Sequence, residues 1–357
     1  MMKKRCVAAL LVAASLVVMT AGCGGNGSEE KEKSGEGTIK VGLILGTGGL
    51  GDKNFNDMSY EGITRAQDEL GIEFDYAEPE SISDIVSLGR QFAETGEYDL
   101  LIGVGSDQED AMIEIAEEFP EQKISVIDCS TDTELISSIQ TEWCEQTFLA
   151  GVIAGLGTQS DMECANDANV IGVILGQDQP GLRQGLVGFT AGAKYVNPDV
   201  EVLEGVVGAF NDPGKAKEIA ISMYNKDADF IQHIAGAAGL GVFEAAKESE
   251  GYAFGVGTNQ NGEEPDHIVA SSVRDVSNMV YEEVQKVIDG TWESGLHMTG
   301  IKEGAVGCDW EGSNVQLPEE IQTAVENIRE QLVNGELAPC KTAEELDDWV
   351  AENQYQP

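Results

Sequence analysis

The chain is poor in the side chains that most enzymology needs. It holds three histidines, His233, His267 and His297, and no two are close in sequence, which argues against a histidine-rich metal centre. Beyond Cys6 and Cys23, the cysteines Cys129, Cys144, Cys164, Cys308 and Cys340 are odd in number, widely spaced and without a C-x-x-C pair. That pattern argues against a metal site or a redox motif. G-x-S-x-G, H-E-x-x-H and a paired Cys/His are all missing, so no catalytic constellation, cofactor or metal is expected. Basic residues are scarce too: 21 Lys and Arg stand against 64 Asp and Glu, a formal net charge of −43. Such a surface repels nucleic acid and anionic lipid. The acids are spread along the chain rather than blocked, which reads as a solvated acidic shell. An anionic ligand would need a local basic group, and there are few.

What is present starts at the first residues. Lys3, Lys4 and Arg5 precede an apolar stretch from Cys6 to Met19, which ends in Thr20-Ala21-Gly22-Cys23. A basic n-region, a short h-region and small residues before a cut site make a secretory signal. The run is shorter than the roughly 20 residues of a spanning helix, which disfavours a transmembrane anchor. The cysteine at the cut site resembles a bacterial lipoprotein signal, although Thr20 stands where an aliphatic residue is usual. The resemblance implies a signal peptide over 1–22, lipidation of Cys23, and a protein tethered to the outer face of the cell membrane. Loss of the leader leaves 64 acids against 18 bases, a formal −46. Residues 24–37 read GGNGSEEKEKSGEG, a flexible linker that cannot form a core. An extracellular location permits disulfides; Cys308–Cys340 is one candidate pair, and spacing does not decide the connectivity.

From Thr38 onward, short apolar runs alternate with amphipathic stretches. Runs that read as buried strands include Ile39–Leu45, Leu100–Val104, Ile124–Asp128, Val170–Leu175, Val202–Val207, Phe230–Ala235 and Ala253–Val256. Helical periods lie between them, and the series restarts near Val170. This is the signature of an α/β chain with parallel sheets in two halves. After Gln316 the pattern is mainly helical, over Pro318–Leu332 and Ala343–Ala351.

The turn Gly46-Thr47-Gly48-Gly49-Leu50-Gly51 fits G-x-G-x-x-G after a strand, with Asp75 near the place of a ribose-binding acid. Alone it would suggest an exported dinucleotide-dependent enzyme. The export signal opposes that, because nicotinamide cofactors are scarce outside the cell. A flexible turn that lets a ligand approach backbone is the preferred reading. Asp52-Lys53-Asn54-Phe55-Asn56 follows at the mouth of the strand, where Phe55 can stack on a ring and Asn56 can both donate and accept hydrogen bonds.

Gly51-Asp52-Lys53-Asn54-Phe55-Asn56 with Glu61-Gly62 resembles the opening D-K-S-F-N…E-G block of the basic membrane protein (BMP/PnrA-like) lipoproteins. Those are substrate-binding proteins of ABC importers, best known for purine nucleosides. The similarity continues through Tyr98–Gly105, Thr147–Gly151, Gly188-Phe189 with Gly192-Ala193, Gly208–Pro213 and Ala235–Gly241. It implies a type I periplasmic-binding-protein fold, in which two Rossmann-like lobes with parallel sheets are joined by crossing hinge strands and close on a ligand. The implied lobes are 38–141 with about 263–295, and 142–262 with about 296–357. Crossings are expected around Gln140–Cys144, Asn259–Ile268 and Thr291–Ile301. Carried over position by position, the ligand would meet Asp52, Phe55, Asn56 and Asp110 from the first lobe, and Phe210 and Gly236 from the second. Ser106 replaces an aromatic usual after the second-strand glycine. Two acids of the G-V-D-x-D-Q block are replaced in Gly255-Val256-Gly257-Thr258-Asn259-Gln260, which puts Gly257 and Asn259 at the site. Arg274 stands where the family carries Lys, and a planar fork binds differently from a point charge. Arg274 either forms a salt bridge with one of the many surface acids or, without a nearby acid, meets a carboxylate, a phosphate or a carbonyl edge of the ligand.

The expected function is therefore capture of a small solute, a purine nucleoside or a related compound, for delivery to an ABC permease by hinge closure. The implied receptor is a monomer that binds no nucleic acid and touches the membrane through its lipid alone. A ligand sensor of the same fold is the alternative, ahead of the dinucleotide enzyme.

Overall fold

The computed structural model describes residues 38–47, 49–51 and 55–355. The signal peptide, Cys23, the linker and Asp52 lie outside the described residues. From the amino end run β1 (Lys40–Ile44), α1 (Phe55–Leu70), β2 (Glu73–Ala77), α2 (Ile82–Thr95), β3 (Leu100–Val104), α3 (Glu109–Glu118), β4 (Ile124–Ile127) and β5 (Ser137–Thr141). The chain continues through α4 (Trp143–Gly157), β6 (Val170–Leu175), α5 (Pro180–Val196), β7 (Glu201–Val206), α6 (Pro213–Tyr224), β8 (Ala228–Ile234), α7 (Leu240–Ser249), β9 (Tyr252–Gly257) and β10 (Ile268–Arg274). It ends with α8 (Val276–Asp289), β11 (Gly295–Thr299), β12 (Val306–Asp309), α9 (Glu319–Asn334) and α10 (Leu346–Glu352).

The described strands form two sheets, ordered β11-β5-β4-β3-β1-β2 and β12-β10-β9-β8-β6-β7. Every pairing is parallel except that of β10 with β12. Central strands such as β3 (LLIGV) and β8 (ADFIQHI) are buried along their whole length, because helices cover both faces of a parallel sheet. The edge strands β2 and β7 are half exposed, and their sequences carry the acids that such a position tolerates.

Two devices hold the lobes rigid. In the second lobe α4 and α5 pack backbone to backbone: a Cβ on Gly151 would collide with the Phe189 carbonyl, and one on Gly192 with that of Phe148. The glycines let α4, apolar around most of its surface, lie buried inside the lobe. In the first lobe Glu283 of α8, 1 % exposed, accepts hydrogen bonds from the hydroxyls of Ser125 (2.6 Å) and Ser137 (3.0 Å), which fastens α8 to β4 and β5.

The chain passes between sheets three times: from β5 to α4, from β10 to α8, and from β11 to β12. The first follows Thr141 and the third follows Thr299. The second departs from the expected Asn259–Ile268. Strand β10, placed by the sequence reading in the first lobe, pairs with β9 in the second sheet, and the chain leaves only after Arg274. Ile268, Val269 and Ala270 are fully buried in the second lobe's cores, which holds the strand there. Strand β11 likewise carries the first lobe to Thr299, past the expected limit of 295.

Candidate functional site: the cleft between the lobes

The loops that follow β1, β3 and β4 in one lobe, and β6 to β10 in the other, gather at the carboxyl ends of their strands. That is where open parallel sheets bind ligands. Asn56, buried near the start of α1, accepts a 2.7 Å hydrogen bond at Oδ1 from the Gly46 amide and so fixes the turn after β1. Beside it, Gly105 at φ +105° leads into a single 3₁₀ turn. The turn carries Gln108, whose buried Nε2 donates to the carbonyls of Ile44, Leu45 and Val104 and ties β1 to β3.

At the end of β4, Asp128 adopts φ +63°, unusual for a residue with a side chain. Its Oδ1 accepts from Arg274 Nη1 at 2.9 Å, an ion pair that joins the two lobes. The Arg274 guanidinium also lies over the Phe55 ring at 4.6 Å and the Trp143 ring at 4.9 Å. Cations over ring faces are attracted by the aromatic quadrupole. Of the two readings of Arg274, the structure shows the ion pair, with Asp128, distant in sequence, as its acid.

Around this bridge the cleft has two chambers that share Phe55. One, of about 260 Å³, has Phe55, Trp143, Leu182, Phe210, Ile234 and Val256 as apolar walls, with Gln179, Arg274 and the backbone of Gly236 and Gly257 as its polar surface. The other, of about 300 Å³, is formed by the first lobe and is polar, with Thr47, Asn56, Ser106, Asp107 and Asp128. Phe210 is 37 % exposed, so it is no core residue; its carbonyl accepts from Ala238 N–H at 2.8 Å, which sets the loop. Gly236 and Gly257 have φ of +56° and +86°, positions that favour glycine and bring bare backbone to the ligand space.

The structure therefore brings together Phe55, Asn56, Phe210, Gly236, Gly257 and Arg274. It does not bring Asp110 or Asn259 to them. Asp110 faces solvent on α3, because Ala111, Met112 and Ile115 turn the other side of that helix into the core. Asn259 is exposed and turned outward, where Nδ2 donates to Asp309 Oδ2 (2.8 Å) and the Glu311 carbonyl (3.0 Å). Its neighbour Gln260 has a scaffold role: Oε1 accepts from Val256 N–H at 2.9 Å and bonds His233 Nε2 at 3.0 Å. Burial lowers the His233 pKa to about 4, partly opposed by that hydrogen bond. Sequence reasoning missed Asp128, Trp143, Gln179 and Leu182. Asp128 and Gln179 could have been found from their places just past apolar strands, and Gln179 also precedes Pro180, a helix-start signal.

Other residues singled out in the sequence lie away from the cleft. Asp75 lies mid-strand opposite Gly42, accepts from Tyr98 Oη at 2.7 Å and pairs with Lys40 Nζ at 3.1 Å, so it offers no ribose-binding acid. The five described cysteines are free, Cys308 and Cys340 included; Cys340 Sγ donates instead to the Thr342 carbonyl at 2.9 Å. No group of three or more potential metal ligands occurs among the described residues. No helix among them is long and apolar enough to cross a membrane. A roomier cavity of about 600 Å³ opens at the other end of the second lobe. Asp161, Glu163, Asp266 and Glu320 line it. It receives nothing from the first lobe, and its carboxylates repel one another without a cation. The interlobe cleft is the better-built site.

Residues 39–340 match the model of a family described as ABC transporter substrate-binding protein, PnrA-like. The chain is 33% identical over 318 residues to an uncharacterized lipoprotein of Pyrococcus abyssi, covering 86% of this chain and 77% of the relative. It is 26% identical over 359 residues to the ABC transporter nucleoside-binding protein BmpA of Lactococcus lactis, covering 94% of this chain and 99% of the relative. Among solved structures it is similar to an ABC transporter solute-binding protein from Aeropyrum pernix, with a TM-score of 0.67 and 25% identity over 89% of this chain and all of that one. The chain belongs to the PnrA-like family of ABC transporter substrate-binding proteins, which are receptors and not enzymes.

Proposed function

We propose that this protein is a lipid-anchored receptor on the extracytoplasmic face, held by Cys23, that captures a purine nucleoside or related compound between its lobes. Capture closes the lobes about the three interlobe passages, and the closed form docks as a monomer on an ABC permease. The observation that carries this reading is the chamber of Phe55, Trp143 and Phe210, which combines aromatic surface from both sides of the cleft with bare backbone at Gly236 and Gly257. Flat apolar walls suit a heteroaromatic ring, and the adjoining polar chamber suits hydroxyls. The name of the Lactococcus lactis relative supports the nucleoside class.

The test uses the chain from Gly24, freed of carried-over ligand by unfolding and refolding. Its melting temperature is followed against nucleosides, nucleobases and other small metabolites. A ligand at about a hundredfold its dissociation constant stabilises the native state by about 2.7 kcal/mol, so a true one is plain. A shift confined to amino acids or sugars would overturn the ligand class.

A further inference from the structure

We propose that Arg274 is the specificity-determining residue of the cleft, and that it selects a neutral ring bearing an oxo group on its edge over one bearing an amino group. This rests on the nucleoside-receptor reading above. Three observations carry it. The guanidinium is held in place: Asp128 takes Nη1 at 2.9 Å, while Phe55 and Trp143 lie within 5 Å of its carbon. Its Nε is buried and has no hydrogen-bond partner among the described residues. The described residues that line the aromatic chamber include no carboxylate.

A guanidinium only donates, and a buried donor without an acceptor carries a desolvation penalty that a ligand can relieve. A carbonyl oxygen on a purine edge accepts from it, as arginine accepts guanine as a partner in base readout. An exocyclic amino group at the same place would set donor against donor, and no carboxylate on the chamber wall offers it a compensating acceptor. The pairing with Asp128 also decides the ligand's charge. The bridge is already neutral, and an anion would meet the Asp128 carboxylate and a chain of net charge −43. Of the oxygen acceptors that an arginine can serve, the neutral carbonyl edge is the one this surrounding favours.

Inosine and adenosine share a ribose and differ at this ring edge, so titration calorimetry of the Gly24–Pro357 chain with each isolates it. Wild type should bind inosine at least about tenfold more tightly, the scale of one hydrogen bond gained against one donor left unpaired. Arg274→Met should bring the two affinities within about threefold of each other, chiefly by weakening inosine. Arg274→Lys keeps the ion pair but loses the fork, and should fall between them. A purely structural role would weaken both nucleosides alike and preserve their ratio, which would overturn the inference. So would wild-type preference for adenosine, or tighter binding of inosine monophosphate than of inosine. If Arg274→Met does not fold, the ratio measured with Arg274→Lys decides. If neither nucleoside binds, hypoxanthine and adenine replace them. Preference for hypoxanthine would then uphold the role of Arg274 and overturn the nucleoside reading; binding of no ring would overturn both.

Discussion

Cutting the bridge between the lobes has a calculable cost. Arg274 and Asp128 side chains are 13 % and 26 % exposed. Ion pairs on the open surface contribute about 0–1 kcal/mol, whereas removing one partner of a fully buried pair costs about 3–5 kcal/mol. This pair lies between the limits, so Asp128→Ala should cost about 2 kcal/mol, most of it from a guanidinium left half-buried without its acid. At about 2.1 cal/mol/K of unfolding entropy per residue, over the unit Thr38–Pro357, that is a fall in melting temperature of about 3 °C. Arg274→Met should cost a similar amount. In the double variant neither charge remains to be satisfied, so it should melt no lower than the worse single variant, a coupling of about 2 kcal/mol. Scanning calorimetry of the four proteins at low salt measures the cycle. Additive losses, with a coupling below about 0.3 kcal/mol, would show that the two side chains act independently and refute the reasoning.

Further consequences follow from the aromatic walls, from two buried titratable groups and from the thiols. Phe55→Ala and Phe210→Ala should each weaken solute binding by about tenfold, the scale of a lost aromatic stack plus its apolar area, while circular dichroism stays unchanged; calorimetric titration checks both. Burial lifts the Asp229 carboxyl to about 6, against the opposing hydrogen bonds from the Asn166 amide and the Thr158 hydroxyl. The native state therefore holds an extra proton between about pH 4 and 6, and stability of about 3 kcal/mol is lost as pH rises through that window. His233, lowered to about 4 by burial, acts oppositely: stability of about 3 kcal/mol is lost as pH falls from about 6.5 to 4. Relative to wild type, Asp229→Asn should lose ground on going from pH 7 to pH 4 and His233→Gln should gain it, read by urea unfolding; parallel pH curves would contradict both. With Cys129, Cys144, Cys164, Cys308 and Cys340 all free, unfolding without reductant should expose five reactive thiols in the chain from Gly24, and Cys308→Ser should leave the melting temperature of unreduced and reduced protein equal.

The fold class was legible in the sequence because the central strands are short apolar runs buried on both faces, bounded by turn residues and alternating with helical periods. The half-exposed edge strands β2 and β11 carry no such run. The passage after β10 was not, since nothing local to Ile268–Arg274 says which of two similar sheets the strand joins; the choice is made by the packing of Ile268 and Val269 against distant helices. Phe55, Phe210, Gly236 and Gly257 were reached through the resemblance of their sequence blocks, and all four line one chamber; Trp143, on the same wall, stands in no such block. The site was misread where the side of an element decides. Asp110 differs from its core-facing neighbour Ala111 by one step of a helix, and Asn259 by the pull of Asp309, 50 residues away. The Asp128–Arg274 pair spans 146 residues and two lobes, and no pattern within either segment predicts it.

A crystal structure of the protein grown with the best-binding nucleoside tests the central claim most directly. The expected result is one molecule in the cleft, its ring against Phe55 and Phe210 and its edge toward Arg274. Nucleoside in the acidic cavity of Asp161 and Glu320, with the cleft empty, would contradict it.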